Sequence, residues 1–232
     1  MTRLGANLWR ILDPPYKEKH RTFALSYVLD MADRINIGED GIYRCPWTGM
    51  DDLYREYHDK EWGVPIAEDR QMFERVSLES FQSGLSWITI LRKRNNFRKA
   101  FEDFDIERVA NYGQKDVQRL MEDVGIVRHK GKIQATIHNA QRAIELIDDQ
   151  GSLAKYFWSW EPKETTLISD AAPAYSDVSE ALSKDLKSKG WSWVGPTTMY
   201  SFMQAVGMVN DHVQACHAWK TVEHLRNIFN RH

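Results

Sequence analysis

The chain has 232 residues, 42% of them hydrophobic and 28% charged, with a formal net charge of −2. That length holds one good core and excludes a string of independent domains. The charge excludes a polycation that grips nucleic acid through many phosphates at once, and no apolar run nears the ~18 residues of a membrane span.

Residues 1 to 43 stand apart as an N-terminal extension: Pro14-Pro15, a mixed charge run, then FALSYVLDMADRI, whose pattern suits one amphipathic helix. The opening apolar stretch is broken by Arg10 and Asp13, so it does not read as a signal peptide, and a cytoplasmic protein is expected. From Cys45 onward the periodicity is helical. Met72, Phe73, Val76 and Ser80 share a face ahead of a break at Gly84, and Ser86 is placed to cap a helix carrying Trp87, Ile90 and Leu91. Asp105 and Asp116 are N-cap candidates for two short helices closed by Gly113 and Gly125. Ile133, Ile137, Ala140, Ile144 and Ile147 mark a longer amphipathic helix. A short aromatic helix over 153–160 precedes a Pro- and Thr-containing connection. Residues 177 to 189 place acids first and lysines last, matching the helix dipole, and Gly190 ends that helix. GWSWVGP then turns tightly into a helix over 197–206. No stretch alternates with period two for long enough to make a strand. The expected class is all-α, with the extension at 1–43 and one domain over 44–232.

Aromatic residues are abundant at 12%, with nine Trp among them. A buried indole N–H needs a partner, so several of these residues should line something. Trp47, Tyr54, Tyr57 and Trp62 cluster after Cys45, with Glu79 and Trp87 further on. Glu79 sits in an apolar helix and either faces solvent or, turned inward, needs a donor or a cation. A carboxylate beside aromatic faces suits a flat, cationic ligand.

The two cysteines, Cys45 and Cys216, are not expected to pair in a reducing compartment. With His58 and His212 they make the N/S set that zinc takes, although buried thiols and hydrogen-bonded histidines answer to the same spacing. His212 and Cys216, four apart, are expected on one face of a helix, with His217 on another. The turn from Trp193 to Gly195 opens a helix N-terminus that suits a phosphate or is simply a loop. Three basic clusters read as solvated helix faces: Arg92 to Lys99, then Arg128, Lys130 and Lys132, then Lys184, Lys187 and Lys189.

Five motifs occur in order: RCPW at 44–47, LYREYHDKEWGVP at 53–65, LESFQSGLSWITIL at 78–91, GIVRHKGKI at 125–133 and YSFMQAVGMVNDHV at 200–213. Over residues 44 to 218 the chain resembles the type I 3-methyladenine DNA glycosylases of the helix-hairpin-helix superfamily. The resemblance implies that all-α fold and a structural zinc ion on Cys45, His58, His212 and Cys216, tying the N-terminal part to a C-terminal helix. It implies a base pocket of Trp47, Tyr54, Tyr57, Glu79 and Trp87 with Trp62 close by, Glu79 receiving the adenine edge. It brings the Gly84-Leu85 bend towards DNA, Leu85 being a wedge or a core residue, and sets the turn at 193–197, with Gly195 and Thr197, on the backbone. The partners it implies are alkylated double-stranded DNA and a flipped 3-methyladenine base, with no membrane and a monomeric enzyme. The reaction is hydrolysis of the N-glycosidic bond, leaving an abasic site.

Phe81 and Ser83 depart from the family's usual smaller or polar residue and Ala. Asn210 stands where many superfamily relatives carry a catalytic Asp. Asp211 is displaced from that position by one residue and reads as structural. No lysine presents itself as a Schiff-base nucleophile, so a monofunctional hydrolase is expected.

Overall fold

The computed structural model describes residues 36–163 and 172–231. The helix read into FALSYVLDMADRI lies outside the described residues. Among those described, the protein is helical apart from one small hairpin. In it β1 (Asn36–Ile37) pairs antiparallel with β2 (Tyr43–Arg44), Asn36 opposite Arg44 and Ile37 opposite Tyr43. Strands this short leave no alternation in the sequence, which is why periodicity does not show them. The hairpin crosses position 43, and Arg44 ties it down by binding both Asp40 and Asp59.

Among the described residues ten α-helices follow: α1 (Asp52–Lys60), α2 (Asp69–Gln82), α3 (Trp87–Ala100), α4 (Ile106–Ala110), α5 (Gln114–Glu122), α6 (Lys130–Gln150), α7 (Leu153–Trp158), α8 (Asp177–Ser188), α9 (Pro196–Ala205) and α10 (His217–Ile228). Asp105 caps α4 as expected, accepting from Arg108 N at 3.0 Å. Asp116 does not cap α5. It lies inside the first turn and reaches back to Gly113 N at 3.0 Å, so Gly113 opens α5 rather than closing α4. Ser86 occupies the N-cap of α3, but its hydroxyl bonds Thr89 Oγ1 instead of a backbone N–H.

The hub is α2, in which every residue from Val76 to Phe81 is buried. It packs against α3, α6, α7 and α9. Phe81 turns into a ladder of rings, 4.7 Å from Phe97 and 5.8 Å from Phe101, which stacks in turn on Phe104. Each such side chain stabilises the fold by about 1.5–3 kcal/mol through burial. The core therefore absorbs the large residue at 81.

Helices α8 and α9 pack on each other across the tight turn at 189–195. The end of α2 is held by Lys132, which is not on a solvated face: it is 4% exposed, and its ammonium donates to Phe81 O at 2.8 Å and Ser83 O at 2.5 Å. Among the described residues no helix is long and apolar enough to cross a membrane.

Candidate active site

The N-cap Asp51 starts α1 by accepting from Tyr54 N at 3.0 Å. The helix then presents Tyr54, Tyr57 and His58 on one side, as their three- and four-residue spacings require. Trp47, in the turn over Pro46–Thr48, meets Tyr54 and Trp62 with ring centres 4.9 Å away in each case. Tyr57 meets Trp87 at 5.3 Å. These five rings line a cavity of about 490 Å³ whose inner wall carries Glu79 of α2. The structure thus brings together the whole pocket set expected from the sequence. The Trp87 indole N–H is buried there with no partner among the described residues.

Glu79 is 4% exposed, so of its two readings the inward one holds. No described group hydrogen-bonds its carboxyl; burial pushes its pKa up to about 8, against the pull of Arg75 one turn back on α2. The Arg75 guanidinium lies 5.7 Å from the centre of the Tyr57 ring and donates to Glu61 at 2.8 Å. An acid with no fixed partner, walled by indole and phenol faces, is available to a ligand that brings its own donors or positive charge.

Gln82, Gln204 and Asp211 are among the residues of this wall that were not expected from sequence. Gln82 lies one turn beyond Glu79, and Gln204 faces it from α9. Asp211, read as structural, also lines the cavity; its Oδ2 accepts from the Tyr200 hydroxyl at 2.8 Å and from Gln204 Nε2 at 2.6 Å. Burial raises the pKa of Asp211. Asn210, expected from the resemblance at the position of an Asp, is engaged behind the wall. Its amide nitrogen donates to Trp219 O and Glu223, and its oxygen lies 3.0 Å from His212 Nδ1. For Gln82 the signal was present, since residues three apart on a helix share a face.

Beside the cavity, Cys45, His58 and Cys216 hold their ligand atoms within 4.8 Å of one another, all buried. His212 stands next to this group, its ring centre 4.9 Å from that of His58, and is not among the mutually close three. Nor do His212 and Cys216 share a helix face: both lie in the loop before α10, and Cys216 is that helix's N-cap. Their convergence comes from the loop's course.

The donor set fits a metal. Asn210 accepts from His212 Nδ1, which leaves Nε2 as the lone-pair nitrogen, and Nε2 is buried without a partner among the described residues. Burial lowers the pKa of His212 to about 3, so the ring is neutral, the form that binds metal. His58 Nδ1 contacts Asp59 Oδ1 at 2.8 Å, the carboxylate–histidine support usual behind a metal ligand. The contact with Cys45 and the nearby His58 lower the pKa of Cys216, while Cys216 and burial push Cys45 up.

The sequence profile of the methyladenine glycosylase family matches residues 47–219. The chain belongs to this family. It is 47% identical over 178 residues to DNA-3-methyladenine glycosylase 1 of Escherichia coli (strain K12), a match covering 75% of this chain and 95% of that protein. The corresponding protein of Haemophilus influenzae is 38% identical over 178 residues, covering 75% and 96%. Among solved structures, 3-methyladenine DNA glycosylase I from Staphylococcus aureus superposes with a TM-score of 0.72 at 34% identity, over 76% of this chain and 96% of that one. That structure is described as showing the basis of 3-methyladenine recognition.

In this chain the segments expected at DNA lie outside the cavity. Gly84 takes φ +80° between α2 and α3, a left-handed conformation that glycine adopts without strain. Leu85 beside it is 40% exposed, so it is not a core residue. Gly195 is the N-cap of α9 and Thr197 is exposed in its first turn. Trp193 is 37% exposed, and its carbonyl lies 3.0 Å from the Ser80 hydroxyl of α2.

Proposed function

We infer that this chain is a DNA-repair glycosylase that hydrolyses the N-glycosidic bond of 3-methyladenine in alkylated DNA and leaves an abasic site. The observation that carries this is the buried carboxyl of Glu79, free of any fixed partner, in a cavity walled by indole and phenol rings. The relatives' printed names agree with it.

Methylation at N3 makes the adenine cationic, so the glycosidic bond is weakened before the enzyme acts. The protein has mainly to select the extruded base and accommodate an oxocarbenium-like sugar. The rings of Trp47, Tyr54, Tyr57, Trp62 and Trp87 favour the cation by about 0.5–2 kcal/mol per contact. Glu79, ionised against that cation, accepts hydrogen bonds from the adenine edge, which rejects bases presenting acceptors there. The free Trp87 N–H offers one donor in return. Extrusion costs a few kcal/mol, least at a damaged pair. We assign Leu85, on the Gly84 turn, to the space the base vacates, and the N–H groups of Thr197 and Thr198, beyond Pro196, with the Thr197 side chain, to the phosphate backbone.

We further propose a zinc ion on Cys45, His58, His212 and Cys216. A set of four protein ligands is closed, so the ion supplies a cross-link and leaves no position for an activated water. The enzyme is taken to work as a cytoplasmic monomer. The test is incubation of purified protein with methylated duplex, with separate assays for free base and for strand breaks. We expect 3-methyladenine release and no nicks until alkali is added. Prompt nicking sinks the monofunctional assignment, and efficient release of neutral uracil sinks the charge-selective pocket.

A further inference from the structure

The two DNA-facing segments are far apart in sequence, yet one buried cation stands between them. Lys132, in the first turn of α6, donates from its ammonium to Phe81 O and Ser83 O, two of the last three carbonyls before Gly84. The same Nζ lies 5.1 Å from the centre of the Trp193 ring, in the α8–α9 turn. Its surroundings repeat the pattern. His129, the N-cap of α6, accepts from Lys132 N and packs edge-on against Trp193 at 5.2 Å. One turn-pair further along α6, Asn139 clasps Ser192 by two bonds of 2.9 Å each, to its carbonyl and from its N–H. Trp193 itself is held at φ +60°, a conformation a bulky side chain rarely adopts unless its surroundings impose it.

An ammonium removed from water needs strong compensation. Here it finds carbonyl oxygens at a helix C-terminus, where the dipole favours a cation, and an aromatic face. Lys132 lines no part of the base cavity. We propose that Lys132 is the positioning residue that fixes the Gly84–Leu85 turn and the Trp193 turn as one rigid surface, so that it governs capture of the duplex and not binding of the base. This rests on the assignment of those two segments to DNA made above.

The full chain is compared as wild type, K132M, K132R and L85A. Three quantities are read: affinity for free 3-methyladenine, affinity for a duplex bearing a stable abasic analogue, and amide hydrogen exchange. With K132M, duplex affinity should fall by about 10- to 100-fold, the worth of hydrogen bonds to a charged group, with free-base affinity kept within about twofold. The fall should appear in KM more than in kcat. Exchange should rise at residues 83–86 and at 191–195 together, and K132R should recover part of each loss. If K132M does not fold, K132Q, which loses the charge and the cation–π contact and can serve only one of the two carbonyls well, is read in its place, with a smaller fall of the same pattern expected and unchanged duplex affinity overturning the proposal. Unchanged duplex affinity in K132M while L85A loses it overturns the proposal alone. Unchanged affinity in L85A overturns the DNA assignment beneath it. Loss of free-base and duplex binding together in K132M shows general support of the fold and also overturns it.

Discussion

Glu79 is where the protein carries its most consequential charge. Its folded pKa, about 8, lies above the 4.5 of an unperturbed glutamic acid, so the native state holds a proton that the unfolded chain releases. Stability owing to this group is intact below pH 4.5 and is lost as pH rises towards 8, because the unfolded chain gains free energy by ionising an acid that the folded chain keeps protonated. Glu79→Gln should therefore be more stable than wild type at pH 8, by about 4 kcal/mol at the upper bound, and equal to it below the unfolded value. Urea titrations at both ends of this range decide it; a difference that does not change with pH contradicts the buried acid. The cationic nucleotide favours the ionised form, so kcat/KM of wild type should rise with pH up to about 8, and Glu79→Gln should lose both activity and that slope. The identity of the pocket residues was legible in the sequence because acid and aromatic types announce their chemistry. Which way each side chain faces was not. Lys132 looks like any helix-surface lysine, and Asp211 and Asn210 exchange their expected places, because tertiary packing and not composition turns a side chain inward.

At the scale of elements, the isoleucine spacing in α6 was legible because one long helix against a core needs only a steady period. The start of short α5 was not legible, since Asp is equally at home at the cap and three residues into the helix, where Asp116 lies. His212 and Cys216 are expected in a helix, yet the segment between α9 and α10 that carries them is a loop, and particular contacts hold it. Gly207 takes φ +80°, and a Cβ there would meet Gly63 O at 2.5 Å and Pro65 N at 2.9 Å. Arg226 of α10 donates to Gly207 O at 2.8 Å and Met208 O at 3.0 Å, fixing the loop's first residues. Gly207→Ala should thus cost at least about 2 kcal/mol, through backbone strain and the clash together. Denaturant unfolding measures the cost. A variant as stable as wild type would mean that the loop yields easily and does not set the positions of Asp211 and His212.

Taken as a whole, the molecule joins distant parts of its chain at one place. Cys216 Sγ lies 3.4 Å from His58 Nε2 across 158 residues of sequence, and the cavity beside them takes its walls from both regions. With the proposed zinc, wild type should contain one ion per chain, and Cys216→Ala should lose it and melt lower by on the order of 10 °C. Elemental analysis of native protein without bound metal would end that proposal. The same join orders events in time. On the ribosome, Cys45, His58 and most of the pocket's rings emerge early and wait through the synthesis of α2 to α9 before Asp211, His212 and Cys216 appear. Contacts between such distant parts of a chain form slowly, because the loop between them must first be closed. During that interval the exposed indoles and the lone Cys45 thiol are open to aggregation and oxidation, hazards of incomplete chains generally. The capacity to receive a damaged base is thus among the last properties the growing polypeptide acquires.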